Sequence, residues 1–151
     1  MPRQYSYKDV PTIKAFSQDN TFIRGLLGCF GSGKSSGCVI EIVKRAMEQA
    51  PDGDGVRRTK WAVVRNTFPQ LRDSTIPTFL NWCQELGQYK SSEYDFHMTE
   101  LTAPDGSPVH SLICFRALDR PGDIRNLLSV EYTGAWFNEA REIDEEVVNT
   151  M

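Results

Sequence analysis

What this chain lacks narrows its class before any motif is read. Nowhere in its 151 residues does an apolar run approach the roughly 20 positions needed to cross a bilayer. Met1-Pro2-Arg3-Gln4-Tyr5 opens without the apolar core of a targeting peptide. The four cysteines, Cys29, Cys38, Cys83 and Cys114, are widely spaced and show no C-x-x-C pairing. The two histidines, His97 and His110, have no acidic or cysteine partner at ligand spacing. This pattern argues for reduced thiols rather than a disulfide frame or a zinc site. An excess of positive charge is missing as well: 17 Lys and Arg against 20 Asp and Glu leave a net charge of −3. Such a surface is no general magnet for nucleic acid, so any DNA contact must be local. With 40% hydrophobic and 25% charged residues, the chain has the makings of one globular domain with a sizeable core. The expectation is an intracellular protein with no membrane association.

What is present is more specific. Gly28 to Ser35 spells G-x-x-x-x-G-K-S, the phosphate-cradling loop of P-loop NTPases. A chain leaving a strand must turn tightly and aim successive N–H groups at a phosphate, and Gly28, Gly31 and Gly33 are expected to supply the positive φ values. Thr21–Leu27 is apolar enough to be the preceding buried strand, and Val39, Val43, Ala46, Met47 and Ala50 recur at helical spacing afterwards. The helix should run from about Lys34 to Gln49, stopped by the turn Pro51-Asp52-Gly53-Asp54-Gly55. Gly28, Cys29, Phe30, Gly31, Ser32, Gly33, Lys34, Ser35 and Ser36 are therefore the candidate ATP-binding residues. Lys34 would reach the β- and γ-phosphates, and the Ser35 hydroxyl would ligate Mg²⁺ beside the positive end of the helix. Residues 1–20 read as an arm or short helix ahead of a P-loop domain spanning 21–151. Within the arm, Phe16 and Gln18 are candidates for contacting the base, with Phe16 equally readable as core.

Trp61-Ala62-Val63-Val64 is a continuous apolar run, fit for a strand buried on both faces as parallel sheets require. Ligands of open α/β sheets bind beyond the carboxyl ends of strands. Arg65, at this strand's end, and Arg72 are accordingly candidates for touching DNA or a neighbouring subunit, with surface ion pairs as the plainer alternative. A helix capped by Ser74 or Thr75, with Pro77 in its first turn, buries Ile76, Phe79, Leu80, Cys83 and Leu86 and stops at Gly87, leaving Trp82 off the stripe. From Glu93 to Arg116 the period drops to two on both sides of Ala103–Pro108, which reads as a hairpin.

A hydrolase built on such a loop needs a second strand end carrying acids. Ala135-Trp136-Phe137 followed by Asn138-Glu139 fits, with Glu139 as general base for the attacking water. Asn138 stands where a metal-binding Asp would be usual; its amide oxygen can orient a metal-bound water but adds no charge. Between hairpin and strand, Arg120 and Arg125 lie in a loop suited to an arginine finger. Arg125 is preferred because Ile124 and Leu127 should anchor it, against the alternative of an ion pair with Asp119 or Asp123.

Three stretches taken together, Arg24–Ser35, Arg65-Asn66-Thr67-Phe68-Pro69-Gln70-Leu71-Arg72 and Gly134-Ala135-Trp136-Phe137-Asn138-Glu139-Ala140-Arg141-Glu142, resemble the ATPase domain of the large terminase subunit of tailed bacteriophages. The likeness runs from about Phe16 onward. It implies an α/β P-loop NTPase of the additional-strand, catalytic-Glu (RecA-like) type, with a mostly parallel sheet flanked by helices. It implies an ATP- and Mg²⁺-dependent motor that moves double-stranded DNA into a procapsid as a homo-oligomeric ring. Its partners would be the portal protein and the small terminase subunit, in the host cytoplasm. On this resemblance Lys34 and Ser35 match the phosphate and metal residues, Glu139 the catalytic carboxylate, and Arg125 the position where some members carry a trans-acting finger. Asn138 departs from the commoner Asp. The chain also stops at Met151, before the further strands and the nuclease domain of such proteins, so it reads as a C-terminally incomplete piece expected to bind nucleotide weakly and hydrolyse it poorly alone. A helicase- or repair-type ATPase and a non-catalytic nucleotide-binding assembly module remain open as other readings; a small-molecule kinase fits less well.

Overall fold

A computed structural model describes residues 4–151; the first three positions of the expected arm lie outside the described residues. Five strands form one mixed sheet in the order β2-β3-β4-β1-β5, with β1 spanning Arg57–Arg65, β2 Gly87–Lys90, β3 Asp95–Thr102, β4 Pro108–Ala117 and β5 Gly134–Phe137. The half of the sheet that carries the expected site is parallel: β1 pairs with β4 on one side and β5 on the other, with Val63 opposite Phe115 and Trp136. The other half is antiparallel. There the expected hairpin appears as β3–β4, and the short β2 extends it. This is the α/β class read from the sequence, a five-stranded sheet flanked by helices.

Burial follows the pleat. Alternate β1 side chains feed two cores, which is why the sequence shows an unbroken apolar run there. Val63 packs with Val39 and Ile42 of α2 (Lys34–Glu48) and with Ile76 and Phe79 of α4 (Ile76–Cys83). Phe79 meets Phe96 and Phe115 edge-to-face, with ring centroids 5.4 and 5.3 Å away. Ala62 and Val64 point the other way, onto Leu127 of α5 (Asp123–Leu128), Ile143, and Val147 of α6 (Glu145–Thr150). The Arg57 guanidinium donates to the Gln49 carbonyl, tying the last turn of α2 to the first residue of β1. The helix thus runs back along the sheet, with Ala46 packed on Val109 at the start of β4 and Val39 and Ile42 clustered with Val63.

Three expectations give way. Thr21–Leu27 forms no strand. Residues 21–29 are irregular, and Phe22 and Leu27 are 94% and 99% exposed. The segment is held across the helices instead of the sheet, because Arg24 donates to Glu41 of α2 at 2.7 Å and to the carbonyls of Phe16 and Asp19, both at 2.9 Å. Ser74 and Thr75 cap nothing, since the helical stretch already begins at α3 (Phe68–Gln70) with Pro69 in its first turn. The Phe68 N–H is satisfied by the Asp119 carboxylate, 2.9 Å away. The chain then widens into a π-helical turn over Leu71–Thr75 before α4. Pro77 explains the widening: it has no N–H for the Asp73 carbonyl and its ring would crowd that oxygen, and a wider turn relieves both. Finally, Gly87 is extended backbone (φ 167°), not a left-handed helix stop. Glycine is required there because a Cβ would sit 1.9 Å from the His97 carbonyl oxygen on β3.

Candidate functional site

The phosphate loop closes on itself around Lys34. Its ammonium donates to the Gly28 and Cys29 carbonyls, both at 2.7 Å, and to the Ser32 hydroxyl at 3.3 Å. Ser32 in turn donates to the Cys29 carbonyl at 2.8 Å. Gly31 and Gly33 have φ of +75° and +78°, as a loop that turns its N–H groups inward needs. Gly28 does not share that conformation. It is small for another reason: a Cβ would come within 3.0 Å of the Ser32 hydroxyl. Gly33 leads directly into α2, so Ser35 and Ser36 occupy its first turn, at the positive end of a 15-residue helix. Phe30 stands fully exposed at the tip of the loop. A cleft of about 280 Å³ opens between Gly28, Cys29 and Lys34 on one wall and Pro11 and Thr12 of α1 (Pro11–Gln18) on the other.

Phe16 and Gln18 lie further along α1 and do not border this cleft. The Arg24 guanidinium stacks on the Phe16 ring, 4.7 Å from its centroid, and Gln18 is exposed. The Cys38 thiol behind the loop is pushed up to about 12 by burial, and burial pushes Cys114 in the sheet up to about 11, so both are inert thiols at neutral pH.

The acidic strand end sits at the carboxyl edge of the sheet. The Asn138 N–H continues the ladder to the Val64 carbonyl at 2.9 Å, so β5 holds Asn138 and Glu139 beside Arg65 at the end of β1. Glu139 is a left-handed residue (φ 55°, ψ 54°), uncommon for a side chain larger than Asn, in the sharp turn into the 3₁₀ helix Ala140–Glu142. Its carboxylate is half-buried and lies 3.6 Å from the Arg141 guanidinium. Asn138 is buried, and its amide donates to the Thr75 hydroxyl at 2.9 Å, which leaves the amide oxygen as the group able to face a metal-bound water. Among the described residues no three His, Cys, Asp or Glu side chains are placed to hold a cation together, so one would rest on neutral oxygens such as the Ser35 hydroxyl and the Asn138 amide named from the sequence. That set suits an ion which keeps several waters and draws most of its negative ligands from phosphate, as Mg²⁺ does.

The arginines separate into three situations. Arg72 is exposed and forms a bidentate ion pair with its neighbour Asp73, at 2.6 and 2.9 Å. Arg65 is half-buried, and its Nε is a buried donor without a hydrogen-bond partner. Arg125 is exposed on α5 and makes no ion pair among the described residues. The two acids that the alternative reading paired with it are used by backbone: Asp123 accepts from the Arg120 N–H at 2.8 Å, and Asp119 from Phe68. Leu127 anchors this helix, but Ile124, expected to do the same, is 41% exposed.

Two residues that matter to the geometry escaped the sequence. Thr75 had the look of a helix cap, and Trp82 stood off the apolar stripe without a partner to suggest itself. The Trp82 indole N–H donates to the Ser36 hydroxyl at 3.0 Å. The position off the stripe was the one available signal.

Comparison with known proteins agrees with this architecture. A family model described as phage terminase large subunit matches residues 20–151. The PBSX phage terminase large subunit of Bacillus subtilis (strain 168) is 27% identical over 133 residues, covering 87% of this chain and 27% of that protein. The large terminase from a thermophilic bacteriophage is similar in fold, with a TM-score of 0.64 at 14% identity over 82% of this chain and 28% of that one. The chain therefore spans about a quarter of the length of these relatives.

Proposed function

The chain belongs to the phage terminase large subunit family, and from that premise we propose that it is the ATP-hydrolysing part of a motor that drives double-stranded DNA into a procapsid. The observation carrying this reading is a juxtaposition. The glycine loop with Lys34 leads into α2, and α4 bonds both the first turn of α2, through Ser36, and the strand end that carries Asn138 and Glu139, through Thr75.

In this reading the N–H groups of the loop and of the first turn of α2 receive the phosphates, and Lys34 exchanges its contacts with the Gly28 and Cys29 carbonyls for phosphate oxygens. Ser35, with Asn138 acting through a water, would hold Mg²⁺, which when bound would supply positive charge against that of the phosphates. Glu139 takes the proton from the attacking water. Arg125 serves as a finger toward a neighbouring subunit of a ring, and Arg65 and Arg72 face DNA or that neighbour. Phe16 and Gln18 remain the candidates for the base. The portal protein and the small terminase subunit are the partners, in the host cytoplasm.

The test separates binding from chemistry. In the full-length protein with its portal, Lys34→Ala is expected to abolish nucleotide binding. Glu139→Gln should retain binding while lowering kcat by about 100-fold or more. Loss of binding in Glu139→Gln, or hydrolysis stimulated by forked DNA but not by the portal, would count against a packaging motor.

A further inference from the structure

Helix α4 touches both halves of the site, and at opposite ends. At its start, the buried Thr75 hydroxyl receives the Asn138 amide at 2.9 Å. Near its finish, the Trp82 indole donates to Ser36 in the first turn of α2 at 3.0 Å. Thr75 and Trp82 are seven positions apart, about 10 Å along a helix axis. The helix is locked into the core by Ile76, Phe79 and Cys83, each 5% exposed or less. Such a rod transmits displacement rather than absorbing it.

We infer that Thr75 and Trp82 are positioning residues, and that α4 is a strut setting the span between the phosphate-loop helix and the strand end that carries Glu139. The Asn138 amide donates to the Thr75 hydroxyl and keeps its oxygen available; an Asp there would hold the same contact with the direction reversed, Thr75 donating, so the strut does not depend on which of the two stands at the position. The bond also fixes the residue immediately before Glu139, whose left-handed backbone needs its surroundings to hold it. The π-helical turn ends at Thr75 and contains Arg72, so a load on that exposed arginine reaches the strut at its Glu139 end. This deepens the ATPase reading and rests on it, but its structural core can be tested without it.

The experiment compares the full chain with Thr75→Val, which keeps the shape and loses the hydroxyl, Thr75→Ser, which keeps the hydroxyl, and Trp82→Phe, which keeps a ring and loses the N–H. Amide hydrogen exchange is read at 33–38 and at 137–142. Thr75→Val is expected to speed exchange about fivefold or more at both ends, Trp82→Phe to do so reciprocally, and Thr75→Ser to stay near the parent. An effect confined to each variant's own end, or spread evenly over the chain, overturns the strut. In the hydrolysing protein, Thr75→Val should lower kcat about tenfold with KM changed less than about twofold. Equal loss in both constants would overturn the positioning role. A parent that binds no nucleotide would sink the ATPase reading, yet coupled exchange at the two ends would still establish the strut.

Discussion

Glu41 is a buried carboxylate shared by two arginines. One of its oxygens receives Arg24 and Arg45, each at 2.7 Å, and the residue is 6% exposed. Burial pushes its carboxyl up, but hydrogen bonds from Arg45 and Arg24 outweigh burial and hold it below the ordinary value of 4.5. Because the folded value is the lower one, the contribution to stability is complete above the unfolded value and fades as pH falls through the folded one. Glu41→Gln leaves two arginines facing a neutral group, and should cost about 3 kcal/mol at pH 7. Urea denaturation at a series of pH values checks this. The parent should lose stability on acidification below about pH 4.5 more steeply than the variant, and parallel curves would contradict the assignment. The same group matters to the site, since Arg24 is what draws the segment before the glycine loop across α1 and α2.

At the scale of elements, local signals and long-range ones part company. Helix α2, strand β1, the β3–β4 hairpin and β5 were legible because period, turn residues and apolar runs are properties of neighbouring positions. The left-handed glycines Gly31 and Gly33 were legible for the same reason, whereas Gly28, expected to join them, does not take a positive φ. Thr21–Leu27 was misread because apolar content does not say whether a strand edge is there to pair with, and Arg24 finds Glu41 instead. The helix start was misread because Pro69 and Pro77 send the same local message, while the bond that settles it comes from Asp119, 51 positions away. Strand β2 left little trace, being four residues with alternate positions exposed. Its existence depends on Gly87, where β2 meets β3. Gly87→Ala should cost about 3 kcal/mol, since the intruding methyl meets backbone that cannot move aside. Gly53→Ala, with open space around its Cβ, should change stability by less than about 0.5 kcal/mol. Similar losses from the two substitutions, measured by thermal or urea unfolding, would refute the close approach.

For the whole molecule, the two cores assign the helices to opposite sides of the sheet. Helices α2 and α4 pack on the face of Val63, whereas α5 packs on the face of Ala62 and Val64 through Leu127. Arg125 thus belongs to the face opposite the glycine loop's helix, exposed and without an ion pair among the described residues. That placement suits a residue used by another copy of the chain in a closed ring, where one subunit's surface completes its neighbour's site. An arginine stabilising charge on the transferred phosphate is worth on the order of 1,000-fold in kcat, so Arg125→Ala alone should be nearly inactive while still binding nucleotide. Glu139→Gln alone should be inactive for a different reason. Mixed within one ring, however, a Glu139→Gln subunit can lend its intact Arg125 to an Arg125→Ala neighbour whose Glu139 is intact. Random placement of equal amounts then rebuilds up to about a quarter of the sites, and ATP turnover should recover to that extent. If Arg125 acts within its own chain, or only as a surface charge, no mixed site is complete and the mixture shows no more turnover than the two variants measured apart.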